Sequence, residues 1–155
     1  MHIGLVQKYA NKIATKFPEL KEVVNQAKNH DKSKRSNPEF DAYVELNWYF
    51  HNKHQGNKVP YNTKWHEATA IHVNTNSHHP EYHDPKAKGK SVGGYVVNAY
   101  KMPEIDMAEM CADLCAMAKK LGGTPQDFYK ENINKRWKFT KEQQTFMINI
   151  FNEVW

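Results

Sequence analysis

The chain lacks the long apolar runs and the cysteine patterns that define several protein classes. No stretch of its 155 residues approaches the ~20 apolar residues of a transmembrane helix, and the first residues lack the basic and then apolar layout of a signal peptide. The only cysteines, Cys111 and Cys115, are four residues apart in a helical pattern, unlike the C-x-x-C spacing of zinc knuckles and redox turns. The sequence therefore predicts a soluble, cytoplasmic protein with two buried free thiols.

Internal repeats and interdomain linkers are also absent, and nothing resembles a helix-turn-helix, an RNP motif or zinc-finger spacing. A length of 155 residues suits one domain, residues 1–155, with a core that needs no disulfides. The 22 lysines and arginines exceed the 17 acidic residues, which gives a formal charge of +5. This charge suits an anionic partner such as a nucleotide, a nucleic acid or a phosphoester, but it is equally compatible with solubility alone.

Hydrophobic residues at three- and four-residue spacing predict that the first part of the chain is helical. A first helix runs from near residue 2 to about residue 16, and its apolar stripe begins with His2. After Pro18, a second helix has an apolar face that ends at Ala27, and the next positions on that face are His30 and Asp31. Because these two residues continue an apolar stripe, we expect them to point into the protein.

The rest of the chain also favours helices, and only residues 95–100, YVVNAY, favour a strand. Proline in a first helical turn, a capping box and a terminal glycine pair mark several helix boundaries. The predicted positions are a third helix from Pro38, a fourth from Thr63 to about residue 79, a fifth over 104–121, a sixth after Thr124 and a last one from Thr140. The predicted fold class is therefore all-α, a single compact bundle of about six to seven helices.

Several aromatic and basic residues are assigned no part in catalysis. The tryptophans Trp48, Trp65 and Trp155 are predicted to be core or edge residues rather than platforms for stacked bases. Residues 83–94 are predicted to form a mobile surface loop, whose lysines could close over an anionic substrate but could equally be solvated. The histidines predicted to be solvated are His51, His54, His66 and His83.

Seven histidine and aspartate residues fall on predicted inward faces or in turns beside them. Imidazole and carboxylate together favour Mn, Fe, Co, Ni or Zn, whereas magnesium and calcium sites prefer oxygen ligands throughout. Burying so many polar groups without partners would cost on the order of several kcal/mol, and a shared cation removes that cost. The sequence therefore predicts one or two divalent transition-metal ions. The candidate ligands are His2, His30, Asp31, His72, His78, His79 and Asp113.

Some of these ligands have a plainer alternative. His2 could belong to a frayed chain end, and Asp113 could be a surface group at the edge of its stripe. His78 and His79 could simply end a helix, where an imidazole interacts favourably with the negative end of the helix dipole.

The order of these residues resembles the HD-domain superfamily of metal-dependent phosphohydrolases, in which the pattern H…HD…H…H…D comes from different helices of an all-helical bundle. This likeness covers roughly residues 2–121. Three segments are similar to motifs of a family of short phage and bacterial proteins related to HD enzymes, and this second likeness covers most of the chain. The segments are HDKSK with PEFDAY just after it, IHVNTNSHHPEY, and EMCADLCAMAKKLGGTP.

The resemblance implies a role for each candidate ligand. One ion would be held by His2, His30, Asp31 and Asp113, and Asp31 could bridge to a second ion. His72 and one or both of His78 and His79 would bind that second ion in a dinuclear centre, or contact the substrate in a mononuclear one. The residues assigned to catalysis are Asp31, Lys34 and His79.

Basic residues directly after the His-Asp doublet are candidate phosphate ligands. Lys34 matches the lysine of the HDxSK motif, and Lys34 or Arg35 could hold a phosphate that already touches the metal. A solvated basic turn is the plainer alternative. Glu109, one turn before Asp113, is predicted to be the hydrogen-bond partner of a ligand histidine.

Three functions follow as hypotheses. The preferred one is a metal-dependent phosphohydrolase that acts on a nucleotide or another small phosphoester through a metal-activated hydroxide, with Lys34 offsetting the developing charge. The first alternative is an HD-fold di-iron oxygenase. The second is a non-catalytic, basic module that binds nucleic acid. The base preference, the metal and the oligomeric state are left open by the sequence.

Overall fold

A computed structural model of the chain describes residues 2–62, 64–90 and 92–155. Within these residues the chain forms seven α-helices, which confirms the all-α prediction. The helices are α1 (His2–Lys16), α2 (Val23–Lys28), α3 (Glu39–His54), α4 (Lys64–Thr75), α5 (Glu104–Leu121), α6 (Pro125–Asn132) and α7 (Lys141–Val154). Short 3-10 turns cover Pro18–Leu20, Lys32–Arg35, Pro80–His83 and Pro85–Ala87. The predicted start of the fourth helix, Thr63, lies outside the described residues.

Helix α5 forms the centre of the core and packs against α1, α2, α6 and α7. Small side chains such as Ala108, Ala112 and Ala116 let these neighbours approach closely, and all three are completely buried. Cys111 and Cys115 are also completely buried and are free thiols, as predicted. The core surrounds α5 on most sides, so α5 gives a fixed platform for the residues that it presents to the site.

The predicted capping residues begin the last two helices. The Thr124 side chain accepts a hydrogen bond from the backbone of Asp127 at the start of α6. At the start of α7, the Gln143 backbone N–H donates to Thr140 Oγ1, and the Thr140 backbone N–H donates to Gln143 Oε1. This reciprocal pair is a capping box, and it satisfies two backbone N–H groups at the start of α7.

Residues 95–100, the stretch predicted to be a strand, contribute one short strand, β1 (Val97–Asn98), which pairs in parallel with β2 (Trp137–Lys138). The Val97 backbone N–H donates to the carbonyl oxygen of Arg136 at 2.8 Å. The pairing therefore holds Arg136 and Trp137 next to residues 80–83, where the Arg136 side chain meets Glu81.

Helix α3 buries few of its side chains because it packs chiefly against α4, outside the main core. Phe40, Val44 and Trp48, one helical turn apart, are each about half exposed. The prediction of Trp48 as a core or edge residue is therefore wrong, since 59% of it is exposed. Trp65 is buried as predicted, and Trp155 stacks on Tyr9 at the edge of the core, with ring centroids 6.0 Å apart.

The expectation of a mobile surface loop is wrong for the first part of residues 83–94. Asp84 is buried and accepts hydrogen bonds from the backbone of Lys86 and Asn98, so it ties this segment to β1. His83, predicted to be solvated, is half-buried, and its Nε2 lies 2.8 Å from the carbonyl oxygen of Ser77. His51, His54 and His66 are exposed, as predicted. Ser91 lies outside the described residues.

In the described part of the chain, no helix combines the length and the apolar character that crossing a bilayer requires.

Candidate metal centre

Histidine and aspartate side chains from five segments of the chain converge between α1, α4 and α5. His2 is the first residue of α1, and Asp113 lies in the middle of α5. His30 and Asp31 follow α2, and His72 lies in the last turn of α4. The last two members, His78 and His79, lie in the turn between α4 and the 3-10 turn that begins at Pro80.

The His30–Asp31 doublet lies in a tight turn, and it does not continue α2 as a helix. Helix α2 ends at Lys28, and Asp31 adopts a left-handed backbone conformation with φ of 57°. Aspartate is one of the few residues other than glycine that enter this region with some frequency, although it is strained there. The turn lets both side chains face the same point, with His30 Nε2 3.6 Å from Asp31 Oδ2.

One half of the centre consists of His2, His30 and Asp113 beside the Asp31 carboxylate. His2 Nε2 lies 2.9 Å from Asp113 Oδ1, and His30 Nε2 lies 3.7 Å from the same oxygen. His30 is completely buried, whereas His2 and Asp113 keep about a fifth of their side chains exposed. This half therefore borders solvent on the side of α1.

The other half consists of His72, His78 and His79 beside the same aspartate. His72 Nε2 lies 3.0 Å from Asp31 Oδ1, and His78 Nε2 lies 3.6 Å from that oxygen. One ligand atom from each of these three histidines and from Asp31 lies within 4.8 Å of all the others. Two ligands of one ion at ~2.1 Å are at most ~4.2 Å apart, so small side-chain movements would suffice to bind an ion.

Asp31 connects the two halves because its two oxygens face different histidines. Oδ2 faces His30 and Lys34, and Oδ1 faces His72 and His78. A carboxylate in this position can give one oxygen to each of two neighbouring ions. The arrangement therefore has the geometry of the bridging role that the resemblance implies for Asp31.

A buried glutamate orients a histidine in each half. His30 Nδ1 donates to Glu109 Oε1 at 3.0 Å, and His72 Nδ1 donates to Glu39 Oε2 at 2.8 Å. Both glutamates are buried, and Glu109 Oε1 also lies 3.5 Å from His78 Nδ1. With the proton fixed on Nδ1, each imidazole presents Nε2 to the centre, which is the usual arrangement of metal-binding histidines. Glu109 lies where a partner of a ligand histidine was expected, while Glu39 was not predicted.

Each of the seven candidate ligands contributes one buried atom that makes no well-aligned hydrogen bond to another described residue, although His2 Nε2 lies 2.9 Å from Asp113 Oδ1 and His72 Nε2 lies 3.0 Å from Asp31 Oδ1. A buried polar atom without a partner costs ~1–3 kcal/mol, so this concentration favours a compensating group. Nitrogen and carboxylate oxygen together suit Mn, Fe, Co, Ni or Zn, and such an ion would satisfy them. The atoms are His2 Nδ1, His30 Nε2, Asp31 Oδ1, His72 Nε2, His78 Nε2, His79 Nε2 and Asp113 Oδ1.

Burial and mutual charge shift the pKa values of this cluster in opposite directions. Burial lowers the pKa of His30, but its contacts with Asp113 and Glu109 outweigh that effect and raise the pKa to about 10. Burial lowers the pKa of His78 to about 3 and that of His79 well below its usual range. Burial would raise the pKa of Asp31, yet the neighbouring His72, His30 and Lys34 hold it far below its usual range. Without an ion, the cluster thus holds a protonated His30 and two neutral imidazoles near neutral pH.

The candidate phosphate ligand Lys34 lies at the edge of this cluster. Its Nζ donates to Asp31 Oδ2 at 2.7 Å and lies 4.7 Å from the centre of the Tyr43 ring. About a third of the Lys34 side chain is exposed, so N–H groups remain available to a ligand. Arg35, the other candidate, is exposed and lies farther out on the rim.

A cavity of about 360 Å³ opens onto the cluster, which is within the size range of sites for small molecules. Its inner end is lined by candidate metal ligands, among them Asp31, His79 and Asp113, together with Lys34 and Tyr43. The residues of α6 and β2 and those next to them that also line it are Phe128, Asn132, Arg136 and Trp137.

The structure brings all seven candidate ligands to one place. His2 is part of α1 and does not belong to a frayed chain end, and Asp113 points into the cluster and not to the surface. His78 and His79 lie beyond the end of α4, so neither of them ends a helix. Sequence reasoning missed Glu39, Tyr43 and Arg136 as neighbours of the centre. The only signal for Glu39 was its position in the segment PEFDAY, because a single acid at the start of a helix looks like a surface residue. Tyr43 ends the same segment, whereas Arg136 had no such signal.

Residues 1–153 match the model of a family described as a family of unknown function, DUF5662. No curated protein and no solved structure matches the chain. Since the match extends over almost the whole length, the chain belongs to the DUF5662 family.

Proposed function

We propose that this protein is a metal-dependent phosphohydrolase of a small phosphoester, with a nucleotide as the first candidate substrate. The observation that carries the proposal is the convergence of seven buried His and Asp atoms that lack a well-aligned hydrogen bond, beside a cavity that Lys34 also lines. The resemblance of the same residues to the H…HD…H…H…D pattern supports it independently.

The proposed ligands divide into two sets that share Asp31. His2, His30 and Asp113 would hold one ion, and His72, His78 and His79 would hold the other. Divalent ions held there would lower the pKa of bound water toward neutrality and polarise the phosphoryl oxygens of a substrate. Glu109 and Glu39 keep the imidazoles of His30 and His72 oriented before any ligand arrives.

Lys34 would bind the substrate phosphate and stabilise the charge that develops during hydrolysis. Its ammonium group has three donors, and one of them is used by Asp31 Oδ2. The contact with Asp31 and the Tyr43 ring fixes the ammonium near the cluster, so a phosphate next to Asp31 can accept from the remaining donors. Arg35 would reach only the outer part of a substrate.

The experiment is to load the protein with Mn or Co and to measure phosphate release from nucleoside mono- and triphosphates. We expect turnover that is abolished in Asp31→Ala and strongly reduced in Lys34→Met. The matched control is Lys32→Met, since Lys32 is exposed in the same turn and does not line the cavity. Absence of turnover on any substrate, with metal bound, would contradict the proposal.

A di-iron oxygenase is the second candidate, and the observation that favours it is the bridging position of Asp31 between two histidine-rich sets. Protein loaded with Fe(II) under nitrogen would then become coloured and consume oxygen when air is admitted. A colourless Mn or Zn form that cleaves phosphoesters excludes this candidate. Nucleic-acid binding that survives in Asp31→Ala and falls steeply with added salt, without turnover of any substrate, would instead favour the non-catalytic module.

For either enzyme we propose a cytoplasmic location. Two free thiols, Cys111 and Cys115, stay reduced in that compartment, and nucleotides are present there.

A further inference from the structure

Two cavities border the candidate metal centre. The first, described above, extends from the cluster to Phe128 and Asn132 of α6, and we call it the α6 cavity. The second, the α3 cavity, has a volume of about 470 Å³ and is bounded by Phe40, Val44 and Phe50 of α3. Both volumes are within the range of sites for small molecules, ~300–1,000 Å³. Residues that line both cavities are His2, Asp31, Lys34, Tyr43 and Met117.

The shared wall is the place where a phosphate would bind. It contains Asp31, which belongs to both halves of the centre, and Lys34, the candidate phosphate ligand. A phosphorus atom positioned there has one cavity on the side of α3 and another on the side of α6. Each cavity could therefore accommodate a separate group attached to the same phosphorus.

The α3 cavity is lined by large apolar side chains that α3 leaves exposed. Phe40 and Phe50 are each nearly half exposed, and Val44 slightly more than half. Together they form an apolar wall, with the cations of Arg35 and Lys120 at its rim. An exposed apolar patch that continues into a cavity is typical of a ligand-binding wall.

The α6 cavity has a rigid outer wall. Arg136 Nε donates to Glu81 Oε1 at 2.9 Å, Nη2 lies 2.8 Å from the same oxygen in an ion pair, and the guanidinium lies 5.0 Å from the Trp137 ring centre. Because these contacts use only part of its five donors, Arg136 can still donate to a ligand. The half-buried Phe128 ring adds an apolar surface, so this wall suits an organic group with polar atoms.

We propose that the substrate is an acyclic phosphodiester, with its phosphate at the shared wall and one organic group in each cavity. This inference rests on the proposed phosphohydrolase function. In the reaction, a water oxygen forms a bond to phosphorus and the bond from phosphorus to one ester oxygen breaks. The water loses a proton, the leaving oxygen gains one, and the products are a phosphomonoester and an alcohol.

The test compares two substrates on the Mn-loaded protein, bis(4-nitrophenyl) phosphate and 4-nitrophenyl phosphate. Their leaving group is identical, so the comparison reports the contribution of the second organic group. Because only the diester buries a second aromatic ring, we expect it to have a kcat/KM at least ~10-fold higher.

Variants that fill one cavity give the sharper comparison. Val44→Trp fills the α3 cavity and Asn132→Trp fills the α6 cavity, and each should lower the ratio of diester to monoester kcat/KM by ~10-fold. The matched controls are Asp41→Trp on α3 and Lys130→Trp on α6, both at exposed positions that do not line either cavity. The controls should retain the wild-type ratio.

A binding measurement without turnover completes the test. Calorimetry on wild-type protein should show that diphenyl phosphate binds at least ~10-fold more tightly than phenyl phosphate, a result that needs no variant to fold. The diester inference is overturned if the monoester binds more tightly and is cleaved faster. It is also overturned if neither filled cavity changes the ratio of diester to monoester kcat/KM. Either result leaves the proposed function intact. If the metal-loaded protein cleaves neither ester, both fail.

Discussion

Glu39 provides the most direct test of how the centre is built. Its Oε2 accepts from His72 Nδ1 at 2.8 Å and from Ser33 Oγ at 3.1 Å, and the residue is almost completely buried. In Glu39→Gln the side chain keeps its shape and can still accept one hydrogen bond from His72. The negative charge that makes His72 a stronger ligand is lost, while the fold should be retained.

Loss of the hydrogen-bond partner of a metal-binding histidine lowers metal affinity by ~10–100-fold, which corresponds to about 1.4–2.7 kcal/mol. We expect this loss for the ion held by His72, His78 and His79, and little change for the ion held by His2, His30 and Asp113. Glu109→Gln should weaken both ions, because Glu109 Oε1 lies near His30 and His78.

The assay is a titration of chelator-free protein with Mn or Zn, followed by calorimetry and by native mass spectrometry, which counts the bound ions. Asp41→Asn is the matched control, since it removes a carboxylate from the same first turn of α3 at an exposed position. If Glu39→Gln and Asp41→Asn bind metal with the same affinity and stoichiometry, the orienting role of Glu39 is refuted. If the protein binds a single ion, and only Glu109→Gln weakens its binding, the two-ion arrangement is refuted.

Three further results are expected. Metal binding near pH 7 should release about one proton, because contacts with Asp113 and Glu109 raise the pKa of His30 to about 10 and a bound ion displaces its proton. The metal affinity should therefore rise with pH up to about 10. Calorimetry in buffers of different protonation enthalpy measures the released proton, and its absence would contradict this prediction. Met147→Ala should lower the free energy of unfolding in urea by ~2–5 kcal/mol, since Met147 is completely buried, whereas the partly exposed Ile148→Ala should cost much less. Thr140→Ala should cost ~0.5–2 kcal/mol by removing the capping box of α7, and an unchanged urea midpoint would show that the cap is dispensable.

Much of the helical framework could be predicted from local sequence. Helix α5 covers the predicted range 104–121, because its buried stripe is continuous and Gly122 ends it with a φ of 85°. The starts of α6 and α7 were also predicted correctly, since a capping threonine acts within one turn of the chain. Such features depend on residues a few positions apart, so periodicity and capping rules describe them well.

Burial was harder to predict where a helix is packed on only one side. Trp48 was predicted to be a core or edge residue, yet it is 59% exposed because α3 packs chiefly against α4. Likewise the polar composition of residues 83–94 suggested a mobile loop, but a hydrogen bond from the backbone N–H of Asn98 to Asp84 Oδ2 anchors its first part. Both errors concern partners distant in the chain, which composition does not reveal.

For the site, the sequence by itself determined which ligand types are present and that His30 and Asp31 face inward. Only the tertiary structure decided that Asp31 lies between two sets of histidines, with one oxygen toward each. The same is true of Glu39, which reaches His72 across 33 residues of chain, and of the identity of the histidine that Glu109 contacts, His30, 79 residues away. The physical reason is that hydrogen bonding and shared coordination act over a few ångströms in space, whereas sequence patterns report only the faces of individual helices.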